Sequence, residues 1–245
     1  MIPWRLLDTA TVPGGEGSLR LMQRGTEFSI RLDRYELMNS RLSGSEEALA
    51  ATACDRIKSR KAPRILIGGL GMGFTLRAAL AALGPDAGVT VAELVPAVIT
   101  WARGPMIDVF GTSLADPRVS IREADVGELI RSGPSNFDAI LLDVDNGPDG
   151  LTRKANDALY GVAGLGAARR ALRTGGVLAI WSAKLDPKFT ARLRKANFAV
   201  DVLNVPAGRS RGGKHVIWIA TRESQGPDSS RNSTLSRRTK PSNAG

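Results

Sequence analysis

From Arg64 onward the chain sets short apolar runs against longer stretches with helical periodicity. Residues 64–67, 88–92, 119–122, 139–142, 177–181, 198–202 and 216–220 predict seven strands. Several of these runs are apolar at nearly every position, as a strand buried on both faces requires. Between them, residues 74–83, 95–103, 126–130, 159–172 and 187–196 carry helical patterns. Strand and helix alternate until two closing strands, which predicts a mostly parallel sheet ended by an antiparallel strand. Earlier in the chain, residues 18–23 and 27–32 alternate polar and apolar positions around Arg24-Gly25-Thr26, the signature of a β-hairpin. Ser45-Glu46-Glu47 then opens a helical pattern through Ala48, Leu49, Ala53 and Ile57, with Ser45 as its expected N-cap. The fold expected is α/β: a Rossmann-like, seven-stranded, mostly parallel sheet with helices on both faces, preceded by a small N-terminal β-hairpin. The expected units are 1–44 for the hairpin region, 45–222 for the Rossmann-like domain and 223–245 for a disordered basic tail. Ser, Asn, Pro and Arg dominate that tail, and it holds almost nothing apolar.

Composition narrows the chemistry. Of 245 residues, 42% are hydrophobic, enough for a packed core. There is no uncharged apolar run long enough to span a bilayer, and Met1 to Ala10 lacks the build of a secretion signal, so a soluble cytoplasmic protein is expected. A single cysteine, Cys54, and a single histidine, His215, exclude an intramolecular disulfide and a Cys- or His-rich metal centre. No metal site is expected. The net charge of +10 raises nucleic acid as a partner. However, the basic residues are scattered and lack the interleaved aromatics that stack bases, and solvated helix faces account for them.

The candidate chemistry gathers at strand ends. Gly68-Gly69-Leu70-Gly71-Met72-Gly73 follows one buried strand and precedes a helix. Glycines there let the backbone approach a ligand, and the helix N-terminus offers free N–H groups. The spacing GxGxG of Gly69, Gly71 and Gly73 departs from the dinucleotide pattern, whose third glycine position is Phe74. Glu93 ends the next strand, where a carboxylate accepts from ribose hydroxyls, though it is equally placed to cap the helix that follows. Asp125 and Val126 follow the third strand, placed to meet an adenine by side-chain oxygen and backbone N–H. The fourth strand ends in Asp143-Val144-Asp145-Asn146-Gly147-Pro148-Asp149. An acid there can hold a cationic amine and accept its proton, which makes Asp143 the candidate acid/base and Asp145 and Asn146 candidate substrate contacts. The Asp149 end is ordinary turn vocabulary.

Over roughly residues 17–221 the chain resembles the polyamine synthases, the spermidine and spermine synthases, in a shortened bacterial form. The resemblance rests on the hairpin, the glycine loop with Thr75-Leu76-Arg77, Glu93, Asp116-Pro117-Arg118-Val119 leading to Asp125, Phe137-Asp138-Ala139-Ile140 leading to Asp143, and Gly175-Gly176-Val177. It implies a class I methyltransferase-like fold, commonly dimeric. It further implies transfer of an aminopropyl group from decarboxylated S-adenosylmethionine to an amine, with methylthioadenosine released. By this resemblance Glu93 binds the ribose, Asp125 and Val126 the adenine, and Asp143 is the acid/base. No tightly bound cofactor is implied; the nucleoside is a co-substrate, and the partners are a small-molecule amine or other acceptor and a second copy of the chain. Three departures concern the amine: Met72 stands where the family's loop has an aspartate, a Tyr-His-Glu signature is missing from Arg34 to Ser40, and Asp-x-x-Asp-Pro becomes Asp143-Val144-Asp145-Asn146. The residues therefore leave two alternatives open: a methyltransferase using ordinary S-adenosylmethionine, and a non-catalytic nucleotide-binding relative.

Overall fold

The computed structural model describes residues 2–14, 17–144, 158–206, 208 and 213–223. The expected strands are all present in a seven-stranded sheet: β5 (Arg64–Gly68), β6 (Gly88–Glu93), β7 (Val119–Glu123), β8 (Phe137–Leu142), β9 (Leu172–Ser182), β10 (Ala199–Pro206) and β11 (Lys214–Thr221). Their order is β10-β11-β9-β8-β5-β6-β7. Pairing is parallel from β9 through β7, while β11 runs antiparallel to both β9 and β10. β8 is buried at every position of Phe-Asp-Ala-Ile-Leu-Leu, which is why its sequence shows no polar alternation.

Each face of the sheet has its own core. Ile65, Ile67, Val91, Leu141, Ala179, Trp181 and Ile217 pack under α1 (Gly44–Arg56), α2 (Phe74–Ala82) and α3 (Pro96–Arg103). Leu66, Ile140, Leu142, Leu178, Ile180 and Trp218 pack on the other side under α5 (Val126–Arg131), α6 (Val162–Ala171) and α7 (Pro187–Lys195). A single turn of helix, α4 (Ile107–Phe110), seats Phe110 in the first of these cores. Truncating one of these fully buried leucines to alanine costs about 2–5 kcal/mol.

The N-terminal region is larger than a hairpin. The two expected strands, β2 (Ser18–Arg24) and β3 (Glu27–Leu32), are the middle of a four-stranded antiparallel sheet flanked by β1 (Arg5–Thr11) and β4 (Tyr35–Asn39). The flanking strands are mostly exposed or half-buried at the sheet's edges, so nothing imposed a clean alternation on them. Leu19, Leu21, Phe28 and Ile30 join the same core as α2 and α3. Trp101 Nε1 of α3 donates to Asp8 Oδ2 of β1 at 2.7 Å, a polar tie across that junction.

Two local expectations are corrected. Ser43, not Ser45, is the residue before α1, and its side chain makes no cap hydrogen bond to the backbone. Ser45 is fully buried within the first turn. The helical pattern predicted to reach residue 172 stops at Ala171, because Leu172 already pairs with Phe137 in the sheet. No helix of the described residues is long and apolar enough to cross a membrane.

Candidate functional site

Beside β5 the chain order splits. The path β5-β6-β7 builds outward on one side and β8-β9 on the other, which leaves a crevice at the strands' carboxyl ends. Into it fall the residues that end β5, β6, β7 and β8. Gly69, Gly71, Glu93, Asp125, Val126 and Asp143 all line one cleft, whose other wall is apolar and comes from the N-terminal sheet through Leu19, Ile30, Leu37 and Met38. The cleft encloses about 820 Å³, counting the space open to solvent at its mouth.

The glycines have different jobs. Gly69 has φ of +90°, and a Cβ there would stand 2.4 Å from the carbonyl oxygen of Asp143, so this glycine is what lets the end of β8 lie against the loop. Gly73, with φ of +76°, precedes α2 and is pressed against the ring of Phe110, 2.3 Å from where its Cβ would be. It is a packing glycine, set outside the residues that line the cleft.

Glu93 is buried and clasps both neighbouring segments. Its Oε2 accepts from the Leu70 N–H at 2.9 Å, and its Oε1 accepts from the Val95 N–H at 2.8 Å. Burial pushes this carboxyl up, while backbone N–H groups of Val95, Leu70, Gly71 and Leu94 oppose the shift. Glu93 thus braces the residue that precedes α3 and also lines the cleft. Asp125 likewise caps α5, its Oδ1 accepting from the Gly127 N–H at 2.7 Å.

Asp143 lies where α2 and β8 meet. Its Oδ2 accepts from Thr75 Oγ1 at 2.6 Å. Burial, then the neighbouring charge of Glu46, pushes its carboxyl up to about 7 from an ordinary 3.8, against the pull of the Thr75 hydrogen bond. A carboxyl that titrates near neutrality is suited to taking and giving protons.

Sequence reasoning missed the group that supports Asp143. Glu46 was legible only as an acid in a first helical turn, and nothing local announced its approach to a residue at the end of β8. The hydroxyl of Ser45 donates to Glu46 Oε2 at 2.6 Å, and His215 Nδ1 lies 2.9 Å from the same hydroxyl. Asp145 and Asn146 lie outside the described residues. The charged side chains among the described lining residues are Glu93, Asp125 and Asp143, all acids.

No protein-family model matches the chain, and no curated protein sequence matches it. Solved structures do. Spermidine synthase from Thermotoga maritima aligns with a TM-score of 0.67 at 20% identity, over 89% of this chain and 72% of that one. A probable spermidine synthase from Corynebacterium glutamicum ATCC 13032 aligns at 0.63 and 19% identity, over 93% of this chain and 84% of that one. Human methyltransferase-like protein 13, solved in complex with SAH, aligns at 0.51 and 19% identity, over 71% of this chain and 78% of that one. The likeness shows the fold that these transferases share.

Proposed function

We propose that the cleft binds decarboxylated S-adenosylmethionine and that the protein transfers its aminopropyl group to a small amine, releasing methylthioadenosine. The observation that carries this reading is the charge of the lining: three acids and no base among the described residues. Ordinary S-adenosylmethionine would bring a carboxylate into that company, and a like charge in a partly desolvated cleft is costly. The decarboxylated donor brings a sulfonium and an ammonium instead. Both are attracted. The acceptor amine is also a cation, so the local field favours it even though the whole chain carries +10.

In this reading the adenosine lies along the crevice. Glu93 takes the ribose hydroxyls on lone pairs that Leu70 and Val95 leave free, and Asp125 with the Val126 N–H faces the adenine. The apolar wall from Leu37 and Met38 excludes water from the sulfonium's side. Asp143 accepts the proton of the acceptor ammonium. The freed nitrogen attacks the methylene next to sulfur, a C–N bond forms as the C–S bond breaks, and the electron pair stays on the sulfur of methylthioadenosine. Holding amine and methylene in line is most of what such a site must do.

Calorimetry with both donors tests this directly, coupled to chromatographic detection of methylthioadenosine after incubation with a series of mono- and diamines. The decarboxylated donor should bind at least tenfold more tightly, and methylthioadenosine should accumulate with at least one amine. Tighter binding of the carboxylated donor would point to methyl transfer, and donor binding without turnover across the amine series would point to a non-catalytic relative.

A further inference from the structure

Basic residues that are spread along the sequence gather in the fold at the amino edge of the seven-stranded sheet, away from the cleft. Helices α1, α5, α6 and α7 end there, and the last turn of each carries arginine or lysine, as a helix C-terminus favours. Arg60, Lys61, Arg64, Arg173 and Arg222 stand on the same edge but belong to no helix, so helix dipoles do not account for them. Arg64 opens β5, Arg173 lies at the start of β9, and Arg222 follows the end of the antiparallel β11.

One buried carboxylate organises this edge. Asp138 Oδ2 accepts from the Arg64 N–H and from Arg173 Nη1, each at 2.8 Å, and Arg60 Nη1 stands 3.8 Å from Oδ1. Arg60 also donates to the Thr174 carbonyl, and Arg222 donates to those of Leu172 and Arg170. Among the other acids nearby, Asp55, Asp116 and Asp201 pair with Lys58, Arg118 and Arg56, while Asp86 and Glu223 are exposed. An excess of positive charge remains.

A groove leads from this edge between α5 and the strands β6 and β7. Arg64, Asn136 and Phe137 stand at its amino end, Thr90 and Arg122 lie along it, and Glu123 is at its far end. It encloses about 1070 Å³, counting the space open to solvent. Arg64 and Arg122 are exposed, and neither side chain has a partner among the described residues. The Thr90 hydroxyl and the Asn136 amide add neutral donors. Backbone bonds tie the groove to the basic edge: the Asn136 N–H donates to the Ala171 carbonyl and the Ser135 N–H to that of Arg170, both at 2.8 Å.

We propose that the amino edge and this groove form one track for the phosphodiester backbone of a nucleic acid. Guanidinium groups dominate the track, and their planar forks match phosphate oxygens. None of the large apolar side chains exposed among the described residues belongs to these segments, so the track has no wedge for a membrane and no anchor for a peptide. It carries no exposed aromatic ring on which a base could stack, and the contact it makes is to the backbone, independent of sequence. Acids line the cleft and bases the opposite edge, so one molecule draws cations to one side and a polyanion to the other.

Fluorescence anisotropy tests this, with short labelled single-stranded RNA, single-stranded DNA and duplex DNA titrated with the full chain. At least one should bind, and its affinity should fall tenfold or more between about 50 and 200 mM salt. The form bound most tightly identifies the source of the backbone. R64A/R122A should weaken binding at least tenfold and flatten the salt dependence. K184A/K188A removes two exposed lysines near the carboxyl end of β9 and should change neither, with melting curves confirming that both variants stay folded. Absence of binding at the lower salt, or an equal loss in the two double variants, overturns the proposal. So does displacement of the oligonucleotide by polyglutamate at equal charge concentration, which would reduce the track to a general attraction for anions. The binding is read without donor or amine, so it stands or falls apart from the transferase reading.

Discussion

The hydroxyl of Thr75 donates to Oδ2 of Asp143 across 2.6 Å, joining the first turn of α2 to the end of β8. This bond favours the ionised carboxyl, in opposition to burial and to Glu46. A hydrogen bond to a charged group contributes about 1.5–3 kcal/mol, or roughly one to two pK units. T75V should therefore raise the Asp143 midpoint by about one unit and carry the acidic limb of activity up with it. T75S, which keeps the hydroxyl, should leave the limb in place. A limb that stays put in T75V would mean that the bond does not govern the base.

The raised Asp143 carboxyl also has a cost in stability. Folding lifts its midpoint from an ordinary 3.8 to about 7, so the folded chain holds this proton more tightly than the unfolded one. The stabilisation it gives is complete below about pH 4 and is lost as the pH rises through 7. At about pH 8 the folded state carries a charge it would rather neutralise, and D143N should then be more stable than the wild type by on the order of 4 kcal/mol. At about pH 4 the two should unfold alike. Urea denaturation at both values checks this, and a stability difference independent of pH would contradict it.

Glu93 answers to two N–H groups, of Leu70 and Val95, as well as to the cleft. E93A leaves both donors buried without their partner, a loss of about 1–3 kcal/mol each. E93Q retains one acceptor oxygen and should cost less in stability. Both should weaken methylthioadenosine binding by tenfold or more. Thermal melting alongside calorimetry separates the two effects. Undiminished affinity in a folded E93Q would remove Glu93 from the nucleoside site.

Much of this arrangement was legible because single residues report their surroundings. The unbroken apolar Phe137–Leu142 run betrays a strand buried on both faces, and a carboxylate at Glu93, closing the strand after a glycine loop, betrays a crevice. β1 and β4 were not legible because edge strands with exposed faces owe little to a core. Ser45 reads as an N-cap from its neighbours alone. It is instead buried by β11, through a partner 170 positions away that no local pattern encodes. The Thr75 bond to Asp143 spans 68 positions for the same reason. Tertiary approach, unlike periodicity, leaves no trace in a short window.

Three glycines separate the demands of the proposed chemistry from those of packing. At Gly69 a methyl group would meet the Asp143 carbonyl oxygen at 2.4 Å, with φ at +90°, so G69A must either shift the backbone of the proposed base or strain the loop. A displacement near 1 Å at a reacting group is enough to cost on the order of a hundredfold in rate. At Gly73 the obstacle is the ring of Phe110 at 2.3 Å, with φ at +76°, and relief there disturbs a buried aromatic and leaves the cleft's lining in place. G84A, with nothing within 4 Å, serves as the control. G69A should therefore lower turnover more than tenfold in protein that still melts cooperatively. G73A should lower the melting temperature chiefly, and G84A should change neither. Equal losses of rate in G69A and G73A at matched stability would mean that the contact between Gly69 and the end of β8 has no special place in the chemistry.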